Sequence, residues 1–292
     1  MRKWLKSEHF VSLAIRERVA RVSLNNPSRR NALSWDMLVE LRGALLEADD
    51  LLEVSVIVLE GAGPDFCAGY DMHSAYERYA AEDGTAGHYR TGNGSFDDDA
   101  WKLERFQELV RTPFTLHKPV IAKVHGNCVA GGTDLALYCD MVIAADDARI
   151  GFPATRSMGS PPNHMWIYNV GPQWAKRLLL SGDVVHGRDA AKIGLAVASA
   201  PAHALEEEVM TLANRLASID PELLATNKRI VNIALEVAGA GTLARLAAEM
   251  DSRAHLTRAK KDFDNQVAMH GFRTAVRTRD EPFGDGVVRP TW

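Results

Sequence analysis

Apolar and polar positions change period several times along the chain. Phe10–Ile15 and Val19–Leu24 are short β-rich runs separated by Arg16-Glu17-Arg18, which predicts a hairpin. Asn25-Asn26-Pro27-Ser28 breaks that pattern. Leu38, Leu41, Leu45 and Ala48 then recur at helical spacing, predicting an amphipathic helix over 35–48, with Ser34 as its N-cap and Asp36 in its first turn. Val54–Leu59 is a compact apolar strand running into the loop Glu60-Gly61-Ala62-Gly63-Pro64. Residues 71–118 are less regular: Gly84, Gly87, Gly92, Gly94 and Asp97-Asp98-Asp99 mark an excursion before a helix over Trp101–Val110. A connection of that length is either functional or disordered. Pro119–Val124 reads as a strand, Gly131–Tyr138 as a short buried helix, and Met141–Ala144 and Arg149–Phe152 as further strands. After about residue 172 helices dominate, with Leu205, Val209, Leu212 and Leu216 on one stripe and a helix start at Asp220-Pro221-Glu222. The periodicity gives an α/β class without internal repeats.

Composition narrows the function classes. The 292 residues are 46% hydrophobic and 25% charged, a globular mix that excludes disorder as the dominant state. With 34 Lys and Arg against 38 Asp and Glu, the basic excess needed for general nucleic-acid binding is missing. No apolar run approaches the roughly 18 residues of a membrane span. Met1–Ile15 is interrupted by Arg2, Lys3, Lys6, Glu8 and His9, so no signal-peptide core is expected. Cys67, Cys128 and Cys139 form neither a disulfide framework nor a zinc motif. The expectation is a reduced, cytoplasmic protein with no membrane, nucleic-acid or metal partner.

Several motifs fail. There is no Walker-type phosphate loop, no dinucleotide fingerprint (Gly61-Ala62-Gly63 lacks the third glycine), no GxSxG elbow and no HExxH. His117 and His125 flank a strand without ligand partners and read as structural. Two glycine turns remain, Asp65-Phe66-Cys67-Ala68-Gly69-Tyr70-Asp71-Met72 and Val124 through Gly131-Gly132-Thr133-Asp134-Leu135-Ala136. Small residues let a ligand approach bare backbone. Free N–H groups at a helix start carry partial positive charge, so together the turns suit an oxyanion. The plainer alternative is two tight core turns, with Asp134 complementing the helix dipole. Residues 251–279 hold seven Lys or Arg against three Asp, read either as a solvated helix face or as a contact for a phosphorylated ligand.

Those segments resemble the crotonase, or enoyl-CoA hydratase/isomerase, superfamily over nearly the whole chain. Asn26-Pro27 with Arg30-Asn31-Ala32-Leu33 is similar to its N-P…R-N-A-L segment, and Phe66-Cys67-Ala68-Gly69-Tyr70-Asp71 to its F-x-A-G-x-D turn. Lys118-Pro119-Val120-Ile121-Ala122 through Gly131-Gly132-Thr133-Asp134-Leu135-Ala136 and Cys139-Asp140 resembles K-P-x-I-A…G-G-x-E-L-A…C-D. Gly171–Leu180 with Ser181-Gly182, and Ala190-Ala191 to Gly194-Leu195-Ala196, resemble the later helix and G-L-V segment. The resemblance implies an α/β spiral of ββα units over 1–204 and a C-terminal helical region over 205–292 that joins homotrimers, often paired into hexamers. It implies an acyl-CoA thioester as substrate, with CoA part of the substrate and no separate cofactor. A thioester enolate would be held by the amides of Tyr70 and Gly131, a role that does not require the Tyr70 side chain. Substrate and CoA would run past Arg30, Ala32, Ala68, Asp71, Met72, Gly132 and Pro153.

The chain departs from this pattern at the acids. A family hydratase uses two glutamates; the first is Asp134 here, and the second falls at Ala154, or at Thr155 after an insertion. Asp134 alone would serve a slow hydratase, as base and then acid, or a double-bond isomerase. Glu77, Glu82 and Asp97–Asp99 are candidates for a second acid. The dehalogenase branch places an aspartate nucleophile where this chain has Asn163, an amide that cannot attack. Asn163, His164 and Trp166 are candidate acyl-pocket residues. Arg156 is read either as a structural ion pair or as a clamp for a substrate carboxylate. The expected activity is that of an enoyl-CoA hydratase. The alternatives are an isomerase, a thioester hydrolase or decarboxylase, or a catalytically silent acyl-CoA-binding protein.

Overall fold

The computed structural model describes residues 2–72 and 95–290. The strands in chain order are β1 (Val11–Arg16), β2 (Val19–Leu24), β3 (Val56–Gly61), β4 (Val120–Val124), β5 (Asn127–Val129), β6 (Met141–Ala145), β7 (Arg149–Gly151), β8 (Val184–His186), β9 (Ala198–Ala200) and β10 (Val287–Val288). They form two sheets, one in the order β1-β2-β3-β4-β6-β9 and one in the order β10-β8-β7-β5. β1 and β2 are the predicted antiparallel hairpin, and every later step in the first sheet is parallel.

The main helices are α1 (Trp35–Asp50), α2 (Phe96–Val110), α3 (Gly131–Leu137), α4 (Met165–Ser181), α5 (Leu205–Ala217), α6 (Pro221–Val237), α7 (Ala240–His255), α8 (Arg258–His270) and α9 (Phe272–Asp280). Four consecutive buried residues, Val56–Leu59, show that β3 is covered on both faces, and α1 and α5 both pack on it. The Ser34 hydroxyl caps α1 by accepting from the Met37 amide at 3.2 Å, and Asp220 caps α6.

Two differences from the sequence reading have local causes. α2 begins at Phe96, five residues before the predicted Trp101, because the Ser95 hydroxyl accepts from the Asp98 amide at 3.0 Å. Asp97–Asp99 therefore occupy the first turn of a helix, where acidic charge meets the positive end of the dipole, and are not loop acids. The three-residue strands β5, β8 and β9 and the two-residue β10 are too short to show a period. Glu77, Glu82 and the four glycines from Gly84 to Gly94 lie outside the described residues.

Conserving the wall of the fold falls to buried polar groups. Lys228, the buried residue of α6, donates to the carbonyls of Pro113 (2.8 Å) and Lys118 (3.0 Å) and pairs with Asp140 at 2.8 Å. Asp140 also accepts from the Val120 amide at 2.7 Å. His117 and His125 are structural, as expected: the former binds Asp49 at 3.0 Å and the latter the Gly63 carbonyl at 2.9 Å. Among the described residues no single helix is long and apolar enough to cross a membrane.

Candidate active site

The two glycine turns lie side by side. The Cys67 amide donates to the Asn127 carbonyl at 2.9 Å, and the Val129 amide to the Cys67 carbonyl at 3.1 Å. The segment from Arg30 to Leu33 is stitched to the first turn: Ala68 donates to Arg30 at 3.0 Å, Leu33 to Gly69 at 2.7 Å and Asp71 to Leu33 at 3.0 Å. Arg30, Ala32, Ala68, Tyr70, Asp71 and Met72 are thus brought together by backbone pairing. Asn31 holds this junction from within, its amide donating to the carbonyls of Ala62, Asp65 and Phe66.

The second turn carries the strain. Ala130 has φ 50° and ψ −123°, a conformation costly for a residue with a Cβ. Its carbonyl accepts from the Thr133 amide (2.9 Å), the Thr133 hydroxyl (2.7 Å) and the Asp134 amide (3.2 Å), which starts α3 abruptly. A Cβ at Gly132 would lie 2.5 Å from the Cys67 carbonyl oxygen, so only glycine permits this approach. Among the described residues, the amides of Tyr70 and Gly131 donate to no backbone acceptor. Pro153 follows β7, which pairs with β5 and so lies beside the same turn.

Asp134 is fully buried in the first turn of α3. Its Oδ2 accepts from the Tyr70 hydroxyl at 2.8 Å, and its Oδ1 is buried without a hydrogen-bond partner among the described residues. The Tyr70 oxygen in turn accepts from Gln107 Nε2 at 2.6 Å, and Gln107 Oε1 accepts from Asn163 Nδ2 at 3.1 Å. Burial pushes the Asp134 carboxyl well above its ordinary range, and the charge of Asp251 adds to this, against the polar groups of Tyr70 and Asn163. Burial and the Asp134 charge likewise raise the Tyr70 phenol. Sequence reading gives the Tyr70 side chain no role and omits Gln107. A large aromatic inside a glycine-rich turn was the available signal for the first.

A second buried acid, Asp251, comes from α7. Its Oδ1 accepts from the Ser160 amide at 2.8 Å, and burial raises its carboxyl to about 6 despite nearby His255. His255, one turn later, is bound to Asp99 of α2 at 2.7 Å. Burial lowers its pKa, but the charges of Asp99 and Asp251 outweigh that and the net shift is upward. A His raised in the folded state stabilises fully below its unfolded pKa and loses that contribution as pH rises through the folded value. Raising pH from about 6 to about 8 is therefore expected to lower the Tm, with a smaller fall in His255→Gln, as followed by thermal unfolding monitored by circular dichroism.

The remaining candidates divide. Position 154 carries alanine in a short 3₁₀ turn, and the Thr155 methyl packs against Gly182. The Arg156 side chain is largely covered and bound to Asp183 (3.0 Å), Asp280 (3.1 Å) and the Ser181 carbonyl (3.0 Å), so the structural ion-pair reading holds and the carboxylate clamp does not. In 251–279, Lys260 pairs with Asp264 and Arg258 with Asp262, each at helical i,i+4 spacing.

Comparison with known proteins agrees with this architecture. Residues 14–273 match the enoyl-CoA hydratase/isomerase family. An enoyl-CoA hydratase structure from Mycobacterium smegmatis superposes with a TM-score of 0.88 at 35% identity, covering 97% of each chain. The 2,3-dehydroadipyl-CoA hydratase of Escherichia coli is 30% identical over 76% of this chain and 81% of its own length. The crotonyl-CoA hydratase of Syntrophomonas wolfei is 31% identical over 69% of this chain and 73% of its own. The chain belongs to the enoyl-CoA hydratase/isomerase family.

Proposed function

We propose that the protein hydrates a 2-enoyl-CoA thioester to the 3-hydroxyacyl-CoA. The observation that carries this reading is the pairing of two amides, Tyr70 and Gly131, that donate to no backbone acceptor among the described residues, with a buried carboxylate whose Oδ1 has no hydrogen-bond partner among them. The thioester oxygen accepts from both amides as negative charge develops on it, each donor contributing about 3–4 kcal/mol of transition-state stabilisation. Asp134 takes a proton from water as the oxygen attacks C3. A carboxylate raised by burial is the stronger base for that step. Arg30, Ala32, Ala68, Asp71, Met72, Gly132 and Pro153 border the substrate and its CoA. CoA enters as part of the substrate, and the scheme uses no other cofactor.

We read α6 as the face that joins subunits into a trimer, or a hexamer of two trimers. It leaves Leu223, Ile230, Val231 and Val237 exposed and buries Lys228. The free thiols of Cys67, Cys128 and Cys139 suit a reducing compartment such as the cytoplasm.

A second reading, double-bond isomerisation, is favoured by one observation: Ala154 leaves no acid at the position of the family's second glutamate. The experiment mixes the protein with short and medium trans-2-enoyl-CoAs and follows the conjugated absorbance and product mass. Loss of absorbance with a gain of one water is expected. Unchanged absorbance across the panel would sink the hydratase reading, and 3-enoyl and carboxylated acyl-CoAs would then separate the isomerase, hydrolase and decarboxylase outcomes from simple binding.

A further inference from the structure

We propose that the Tyr70 phenol is the acid that protonates C2, taking the place of the carboxylate absent at position 154. This inference rests on the hydratase reading above.

Three observations carry it. First, the segment that would supply the second acid is occupied otherwise: Ala154 has no acid, Thr155 packs on Gly182, and Arg156 is held by Asp183 and Asp280. Second, the phenol stands over the carbonyl-binding turn. A Cβ at Gly131 would lie 2.9 Å from both Cε2 and Cζ of Tyr70, so the ring covers the residue whose amide holds the thioester oxygen. C2 is bonded to the thioester carbonyl carbon and must sit beside that turn. Third, the hydroxyl belongs to a chain of donors with one direction. Asn163 donates to Gln107, Gln107 to Tyr70, and Tyr70 to Asp134, at 3.1, 2.6 and 2.8 Å. Gln107 occupies a lone pair of the phenol, so the phenolic proton rests on Asp134 Oδ2 until that carboxylate takes the proton of water, and the O–H is then released to turn toward C2. Burial and the Asp134 charge keep the phenol protonated, as an acid must be before it acts.

The step balances. Asp134 accepts a proton from water at Oδ1 as the water oxygen bonds C3, and the C2–C3 π pair moves into the enolate. The Tyr70 O–H bond then breaks and its proton bonds C2 as the enolate electrons return. The protonated Asp134 turns and gives its proton to the phenolate across their contact. One water has been added and both side chains are restored.

The test is Tyr70→Phe, which keeps the backbone amide and the ring packing against Phe106, centroids 6.4 Å apart, and removes only the hydroxyl. With crotonyl-CoA and the full chain, kcat is expected to fall about 10²–10³-fold with little change in KM. Exchange of the C2 proton of 3-hydroxybutyryl-CoA with deuterated solvent should fall in parallel. Replacing Tyr70 by 3-fluorotyrosine, a stronger acid of nearly the same shape, should move the alkaline limb of the kcat–pH profile to lower pH. A Tyr70→Phe protein with wild-type kcat and C2 exchange overturns the proposal, as does an alkaline limb that ignores fluorination. If Asp251→Asn alone abolishes C2 exchange, Asp251 is the acid and the proposal is likewise wrong. A wild-type protein that hydrates no enoyl-CoA defeats the underlying hydratase reading instead, so the two failures are distinguishable.

Discussion

Asp134→Asn is expected to lower kcat by about 10³–10⁴-fold while leaving affinity for a non-reacting CoA thioester nearly unchanged. The substitution removes the base and little else. The new side chain keeps an oxygen able to accept from the Tyr70 hydroxyl, and the amides of Tyr70 and Gly131 belong to backbone that Asn does not alter. Stability should move in the opposite direction to activity. Asp134 is fully buried and its carboxyl is raised by that burial, so ionising it costs the folded state a desolvation that the unfolded chain does not bear. Asn carries no charge, and the variant should melt at or above the wild-type temperature. In the wild type, activity should decline on acidification at a pH above the ordinary carboxylate range, because the base is lost once Asp134 is protonated. Stopped-flow or steady-state absorbance, isothermal titration and thermal unfolding check the three parts. Retention of full turnover by Asp134→Asn would remove the residue from the mechanism.

How much of this was legible in the sequence depends on whether the determining interaction is local. The α1 cap at Ser34, the β1–β2 hairpin and the start of α6 at Asp220 are set by neighbours within four residues, and each is found where the pattern puts it. The pairing of the two glycine turns was legible only through family resemblance, because the residues joined, Cys67 with Asn127 and Val129, are far apart in the chain. Within the site, Asp134 stood out as a carboxylate in a helix's first turn. Its connections did not: Asn163 is legible only as a pocket candidate and Gln107 not at all, since Asn163 reaches Gln107 from the segment before α4 and Gln107 reaches Tyr70 from α2, and nothing in local spacing signals a three-step chain. Asp251 was counted in a basic stretch when its role comes from α7 laying it against Ser160. The Asp97–Asp99 run illustrates the reverse error. Read as loop acids, these residues form the first turn of α2, and Asp99 is bound to His255.

Arg156→Ala is expected to cost about 1.5–3 kcal/mol of stability, the range for losing hydrogen bonds to a charged group, because both carboxylates it binds keep a second arginine. The guanidinium joins three pieces of chain that are distant in sequence. It binds the turn after α4 through the Ser181 carbonyl and Asp183, the end of α9 through Asp280, and the ring of Phe283, whose centroid is 4.0 Å away. Beside it, the Val184 amide donates to the Gly286 carbonyl at 2.8 Å, bringing β10 onto β8. Alanine leaves Asp183 paired with Arg177 and Asp280 with Arg279, each at 2.8 Å, but removes the cation that ties the two together. Lysine should recover little, because one ammonium cannot reproduce the fork that reaches both carboxylates and a carbonyl. The double variant Arg156→Ala, Asp280→Asn should be less unstable than the sum of its parts, since both changes remove the same Arg156–Asp280 contact. Denaturant unfolding gives the stability, and assays at a temperature where the variant remains folded separate it from function. There the KM for a carboxylated enoyl-CoA, relative to an uncharged one, should match wild type. A selective rise for the carboxylated substrate would return Arg156 to the substrate pocket. A stability loss without that selectivity fixes it as the fastener of the C-terminal segment to the sheet beside the site.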